Sequence, residues 1–364
     1  MVVKSDVLHD SRVRRASLAL TNQGFEVVII GDSGSGPGPV DAATVHFVRS
    51  PLKTSIPRPA WQTFPRWLLL PQHRSRVQKQ FQDRALTLGK TLGPFDFVHA
   101  HDYSAGTSST LLAAHFDAKL IYDAHEWWRG RVRFGRPEPL RRWLDGRRED
   151  RILERADHVI TVSEEIASQL RARTSTNVTV VHNSFSPGPK VSRRQPRGLV
   201  YAGRISQGRD LETVVAAAKL LDLTVTFMGA SDESVQISSP VVSIAEGSLP
   251  QVNDLILDNG IVVVPLASGP ANHAMALPNK LFHAISCGAP VVAADLPALR
   301  RVVMSHGLGS LYTPGDSDSL VQAVMEVVRN FEEYSASSVK AQADLSWPVD
   351  SKILTGLYSQ LASM

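Results

Sequence analysis

The chain has 364 residues, a formal net charge of +4, 43% hydrophobic residues and 20% charged residues. This balance excludes a disordered chain, and the length exceeds what one hydrophobic core organises, so two domains of about 150–200 residues each are expected. No apolar run reaches the roughly 18 residues of a membrane span, and the single cysteine, Cys287, excludes an internal disulfide.

Residues 1–25 do not read as a secretory leader, because Asp6, His9, Asp10 and several arginines interrupt them. With Cys287 expected to be a packed thiol, the setting indicated is a reducing cytoplasm. The first helical pattern is "SRVRRASLALTNQG", where Val13, Ala16 and Leu20 recur at helical spacing and Gly24 follows. "EVVII" (26–30) is the first strand expected. The proline-rich stretch 51–94 is irregular and suits either an acceptor loop or a long packed connection.

"FDFVHA" (95–100) and "KLIYDA" (119–124) read as further strands. His99 and His101 lie two apart, hence on one side of the strand, but no further ligand stands at zinc spacing and a metal pair is not expected. His125, in "DAHEWW", follows the second of these strands and belongs at its carboxyl edge.

Between Arg129 and Arg155 the chain carries ten arginines against five acidic residues, with Trp127 and Trp128 just before them. This is either a solvated helix face or a surface for anionic lipid head groups or an anionic acceptor. No nucleic-acid-binding motif accompanies the charge, so nucleic acid is excluded as a partner. "HVITV" (158–162) and "VTVV" (178–181) complete the strands of the first half.

Residues 182–198, rich in proline, glycine, serine and arginine, interrupt the alternation. It restarts with "GLVYAG", "LTVTFMG", "IVVVPL" and "APVVAAD". Strands alternating with helices imply parallel sheets covered on both faces, here in two Rossmann-like domains facing each other across a ligand-binding cleft. The boundaries expected are 1–183 and 199–346, a linker at 184–198, and a helix at 347–364 that packs back toward the first domain.

Within "LVYAGRISQGRDLETVV", Gly203 turns the chain after a buried strand and presents Arg204 and Arg209 ahead of a helix. Two guanidinium forks near a helix start suit a diphosphate. In "ALPNKLFHAISCGAPVV", Leu281, Phe282 and Ile285 form the apolar stripe of a helix. Asn279, Lys280 and His283 lie off that stripe and are expected to face something polar. "GDSDSL" (315–320) contains an Asp-x-Asp, but it precedes an apolar helical pattern, so Asp316 or Ser317 reads as a helix cap rather than a metal ligand.

"LVYAGRISQGRDLETVV" and "PNKLFHAISCGAPVVAADLPALRRVV", together with "VHAHDYSAG", "IYDAHEWW" and "ADHVITVSEEI", resemble glycosyltransferase family 4 on the GT-B fold. The resemblance runs in order along nearly the whole chain. It implies a retaining transferase that moves a sugar from a nucleotide-diphosphate donor to an acceptor hydroxyl on a glycan, a lipid-linked or a small molecule. The nucleotide-sugar is then a substrate, and neither metal nor cofactor is required.

By the same resemblance, Gly203, Arg204 and Arg209 hold the donor diphosphate, and both arginines act as charge stabilisers. His125 touches the sugar and assists transfer. His283 stands where the family carries the glutamate that binds the ribose, and Met275 where an earlier glutamate is usual. Gly269 and Asn272 are then left for the donor sugar, Asn279 and Lys280 complete the donor set, and Asp10 and Arg12 are assigned to the acceptor side. The departures at 275 and 283 keep a catalytically silent GT-B partner open as an alternative, beside a sugar-nucleotide epimerase. Arg129–Arg155 leaves peripheral contact with the inner membrane face as an expectation.

Overall fold

A computed structural model describes residues 1–32, 43–48, 73–131, 139–190, 195–232, 242–245 and 247–364. Residues 51–72, half of the irregular stretch 51–94, together with Arg133, Arg136 and residues 191–194 lie outside these. The chain forms two compact units: Met1–Val162 with Ile166–Val181 and Ile353–Met364, and Ser163–Glu165 with His182–Lys352.

In the first unit, β1 (Val2–Asp6), β2 (Val28–Asp32), β3 (Thr44–Val48), β4 (Phe97–His101), β5 (Lys119–Ala124), β6 (His158–Thr161) and β7 (Val178–Val180) form a parallel sheet in the order β3-β2-β1-β4-β5-β6-β7. The helices are α1 (Ser11–Asn22), α2 (His73–Leu92), α3 (Asp102–Phe116), α4 (Pro139–Arg155) and α5 (Glu164–Arg171). Leu120, Ile121, Tyr122 and Ala124 of β5 are all buried, as a strand covered on both faces requires. The strand order reverses between β1 and β4, which opens a crevice at their carboxyl ends.

The second unit repeats the plan with β8 (Gly198–Ala202), β9 (Val225–Met228), β10 (Val242–Ala245), β11 (Gly260–Val264), β12 (Val291–Ala294) and β13 (Gly309–Tyr312), in the parallel order β10-β9-β8-β11-β12-β13. Its helices are α6 (Leu211–Leu221), α7 (Leu249–Asn259), α8 (Ala271–Met275), α9 (Asn279–Ser286), α10 (Pro297–His306), α11 (Ser317–Arg329), α12 (Phe331–Ala341) and α13 (Trp347–Ala362). Tyr201, Phe227, Phe282 and Tyr312 are the large buried side chains at its centre. The order reverses between β8 and β11, so the turn after β8 and the loop after β11 share a crevice.

The strand expected at 26–30 runs instead over Val28–Asp32, and β1, β3, β10 and β13 were not anticipated. Part of the segment read as linker is fastened to the second unit. His182 and Ser184 both bond the buried Asp350 carboxylate, and the Gly188 amide donates to the Ser286 carbonyl at 2.9 Å. Asp316 caps α11 by accepting from the Ser319 amide at 2.9 Å. Helix α13 divides, its residues from Ile353 onward belonging to the first unit. Among the described residues, no helix is long and apolar enough to cross a membrane.

Candidate active site

In the second unit the chemistry gathers at the β8 turn. Gly203 adopts φ +144°, a backbone region that favours glycine, and Gly229 approaches it so closely that a Cβ there would lie 2.4 Å from the Gly203 carbonyl oxygen. Asp210 fixes the far side of the turn. Its carboxylate accepts from Thr213 Oγ1 at 2.6 Å, from the Tyr312 hydroxyl at 2.8 Å and from the Gly315 amide at 3.1 Å. The loop after β11 joins the turn through the Ala267 amide, which donates to the Gly208 carbonyl at 3.1 Å. Gly269 and the buried Asn272 lie on or just beyond that loop.

Lys280, on the first turn of α9, enters the same place. Its ammonium lies 4.6 Å from the centre of the Tyr201 ring and 3.9 Å from where a Cβ on Gly203 would stand. The side chain is 5% exposed. Burial, with the Arg209 charge added, pushes its pKa down to about 7. The half-exposed Arg209 is near enough for its charge to act on the buried Lys280 ammonium, an arrangement that a bound anion would relieve. Arg204 is turned differently: its guanidinium is largely exposed and pairs with Asp232, Nε donating at 2.7 Å.

His283 does not line an open polar flank. Every residue of α9 from Lys280 to Ser286 is buried, and the His283 ring lies 3.8 Å, centre to centre, from Phe185. Asn279 is exposed and accepts from Asn183 at 2.7 Å. The segment read as linker therefore runs along the flank that sequence spacing reserved for a ligand. Met275 contributes its carbonyl, which accepts from Ser163 Oγ at 2.7 Å.

In the first unit a second polar centre occupies the carboxyl ends of β4 and β5. Asp123 is buried and takes both Nε and Nη2 of Arg12, at 2.9 and 2.8 Å. Arg12 also donates to the Val181 carbonyl at 3.0 Å, so it braces the sheet end, while Asp10 caps α1 through the Val13 amide. His125 Nε2 stands 3.3 Å from Asp123 Oδ2 and 3.3 Å from His101 Nδ1; its Nδ1 stands 3.4 Å from Asp102 Oδ2. Asp102 holds a left-handed backbone, φ 62°, and also accepts from the His125 amide at 3.0 Å.

These carboxylates decide the protonation states. Burial works against a charge on His125, but Asp102 and Asp123 together raise its pKa to about 9, so the ring is an imidazolium at neutral pH. Burial, reinforced by His99, pushes His101 down to about 3. Burial also opposes ionisation of Asp123, yet Arg12 and His125 hold its carboxyl well below the usual range. His99, His101 and Asp123 place donor atoms within 4.8 Å of one another. The positive charge an ion would bring to that group is already supplied by Arg12 and His125.

The structure thus gathers Gly203, Arg209 and Lys280 with the Gly269–Asn272 loop. It turns Arg204 outward and packs His283 under Phe185. The sequence reading passed over Tyr201, Asp210, Asp102 and Asp123. Asp123 was findable, since it stands two residues before His125 on a strand end. Asp210 was not, because Tyr312 and Gly315, two of its three partners, lie far along the chain.

Two parallel sheets with polar groups gathered at their carboxyl ends are the GT-B architecture, and comparison with known proteins identifies the class as glycosyltransferase. Residues 10–184 match the glycosyl transferase 4-like domain and residues 196–330 the glycosyl transferases group 1 domain. The chain belongs to glycosyltransferase family 4. It is 24% identical over 315 residues to D-inositol 3-phosphate glycosyltransferase 2 of Catenulispora acidiphila, covering 74% of this chain and 71% of that one. Sucrose-phosphate synthase of Thermosynechococcus elongatus superposes with a TM-score of 0.75 at 17% identity, covering 100% of this chain and 99% of the other. HepE of Anabaena, in complex with UDP-glucose, superposes with a TM-score of 0.69 at 14% identity, covering 99% of each.

Proposed function

We propose that this glycosyltransferase moves a sugar from a nucleotide-diphosphate donor to an acceptor hydroxyl with retention of anomeric configuration and without a metal ion. The observation that carries this reading is the pair of cations, Arg209 and the buried Lys280, at the Gly203 turn. A donor diphosphate there would meet the buried ammonium of Lys280 and the half-exposed guanidinium of Arg209, which stabilise the charge developing on the leaving group. A metal has no task left, and the Asp-x-Asp that might have held one serves as the α11 cap.

His125, pinned as a cation between two carboxylates, is suited to donate a hydrogen bond to a sugar hydroxyl rather than to act as a base. No carboxylate nucleophile is needed if the acceptor attacks from the face the diphosphate leaves. The resemblance to a D-inositol 3-phosphate glycosyltransferase fits a polyol acceptor. Met275 and His283, where family members carry glutamates, favour a second reading as a catalytically silent partner.

The test is a panel of UDP-, GDP- and ADP-hexoses with polyol acceptors in excess chelator, the product read by proton NMR. An α-linked product from an α-donor supports the proposal, whereas a β-linked product or restoration of activity only by magnesium or manganese overturns it. Turnover of donor without acceptor would instead indicate an epimerase.

A further inference from the structure

Helix α4 sorts its charges by face. Two of its four acids point inward, the buried Asp145 accepting from the Tyr103 hydroxyl at 3.1 Å and the buried Glu149 from Tyr122 at 3.1 Å, while the half-buried Asp150 pairs with Arg129 at 2.6 Å and with Arg173. Ile152 and Leu153 complete the inward face. Arg142, Trp143, Leu144, Arg147, Arg148, Arg151, Glu154 and Arg155 are all exposed.

At about 100° per residue, Trp143, Leu144, Arg147, Arg148, Arg151, Glu154 and Arg155 fall within an arc of about 140°. Four arginines against one glutamate give that arc a net charge of +3. Trp143 is 52% and Leu144 40% exposed, and the Arg147 guanidinium lies 4.5 Å from the Trp143 ring centre. Among the described residues, Arg142, Arg147, Arg151 and Arg155 have no acidic partner within ion-pair distance.

A helix that only needed solubility would mix both signs on its outer face. Here Asp145, Glu149 and Asp150 are matched by hydroxyls and by Arg129 and Arg173 from outside the arc, and of the arc's arginines only Arg148 reaches back, to Tyr103, which leaves Arg147, Arg151 and Arg155 unbalanced. A water-exposed tryptophan and leucine sit toward the amino-terminal end of that cationic face. Tryptophan is at home at the head-group level of a bilayer, with its ring among the acyl boundary and its N–H in the polar layer, while arginines meet lipid phosphates. An acidic protein would account for the charge but gives no reason for an amphipathic tryptophan among it.

We propose that the outer face of α4 docks the protein on the surface of an anionic lipid bilayer, with Trp143 and Leu144 inserted at the interface and Arg147, Arg151 and Arg155 on the head groups. The surface belongs to the first unit, and the proposal does not depend on the donor chemistry of the second.

The experiment is flotation of the full chain with vesicles of phosphatidylcholine alone or containing about a third phosphatidylglycerol, at low and high salt. The wild-type chain should float with the anionic vesicles at low salt and be released by high salt. Arg147→Glu/Arg151→Glu should lower partitioning on the order of tenfold or more, and Trp143→Ala severalfold. Arg300→Glu/Arg329→Glu, an equal charge change on exposed positions of the second unit, should leave it unchanged. Circular dichroism and thermal melting monitor folding, which substitutions at exposed sites should spare. Equal binding to neutral vesicles, no loss in the α4 double variant, or an equal loss in the control pair would each overturn the assignment.

Discussion

Lys280 offers a quantitative handle on the proposed donor site. In the free protein its folded pKa is about 7, against 10.5 in an unfolded chain. At pH 8 it is therefore only about one-tenth protonated. A nucleoside diphosphate seated at the Gly203 turn is fully ionised at that pH, its last phosphate pKa lying near 6. Its charge should return the lysine to the ordinary range, so binding should take up roughly 0.9 proton at pH 8, falling to about 0.5 at pH 7.

The assay is calorimetry of UDP, GDP and ADP at pH 8 in buffers of different ionisation enthalpy, whose slope gives the proton number directly. Lys280→Met should abolish the uptake and weaken binding by about 2 kcal/mol or more, the scale of one buried charge-assisted contact. The same variant should stabilise the free protein at pH 7. A lysine whose folded pKa is depressed costs stability below about 7, and the cost disappears as pH rises toward 10.5. Binding without proton uptake, or equal uptake by the variant, would refute the placement of Lys280 against the diphosphate.

Arg12→Ala strands the buried Asp123 carboxylate and should cost about 3–5 kcal/mol in denaturant unfolding; a loss under about 1 would show that the pair is not a brace. His125 should titrate near 9 by NMR, and because its folded pKa lies above the unfolded value of about 6.5, its stabilisation is complete below about 6.5 and disappears as pH rises through about 9. A titration near 6.5 would remove the imidazolium from the account. His283→Glu puts a carboxylate against the Phe185 ring and should lower stability by about 1–3 kcal/mol, whereas His283→Gln should cost less; a more stable glutamate variant would mean that the flank is open to solvent.

The sequence revealed much of the architecture through its buried strands. "LVYAG", "IVVV" and "PVVAA" are continuous apolar runs, and each became a strand. β1 and β13 were missed because "VVKSD" and "GSLY" carry too few apolar residues to show a period, and they are recognised only by the neighbours they pair with. At the site, the Gly203 turn and its arginines were legible because strand, glycine and helix start are local features. The covering of His283 was not, since helical spacing says which residues share a flank and nothing of what lies on it. Phe185 reaches that flank from a segment whose proline and glycine content read as linker. Arg204 shows the same limit: residue type and spacing suited a phosphate, while Asp232, from the turn after β9, draws its guanidinium aside.

The central claim, that the crevice between β8 and β11 binds the donor diphosphate through Arg209 and Lys280, is tested most directly by nucleoside diphosphate release from sugar nucleotides with the Arg209→Ala variant. The account predicts a fall in turnover of roughly 10²–10³ with an unchanged melting temperature, the cost of removing one preorganised charge. Turnover equal to that of the unaltered protein would contradict it.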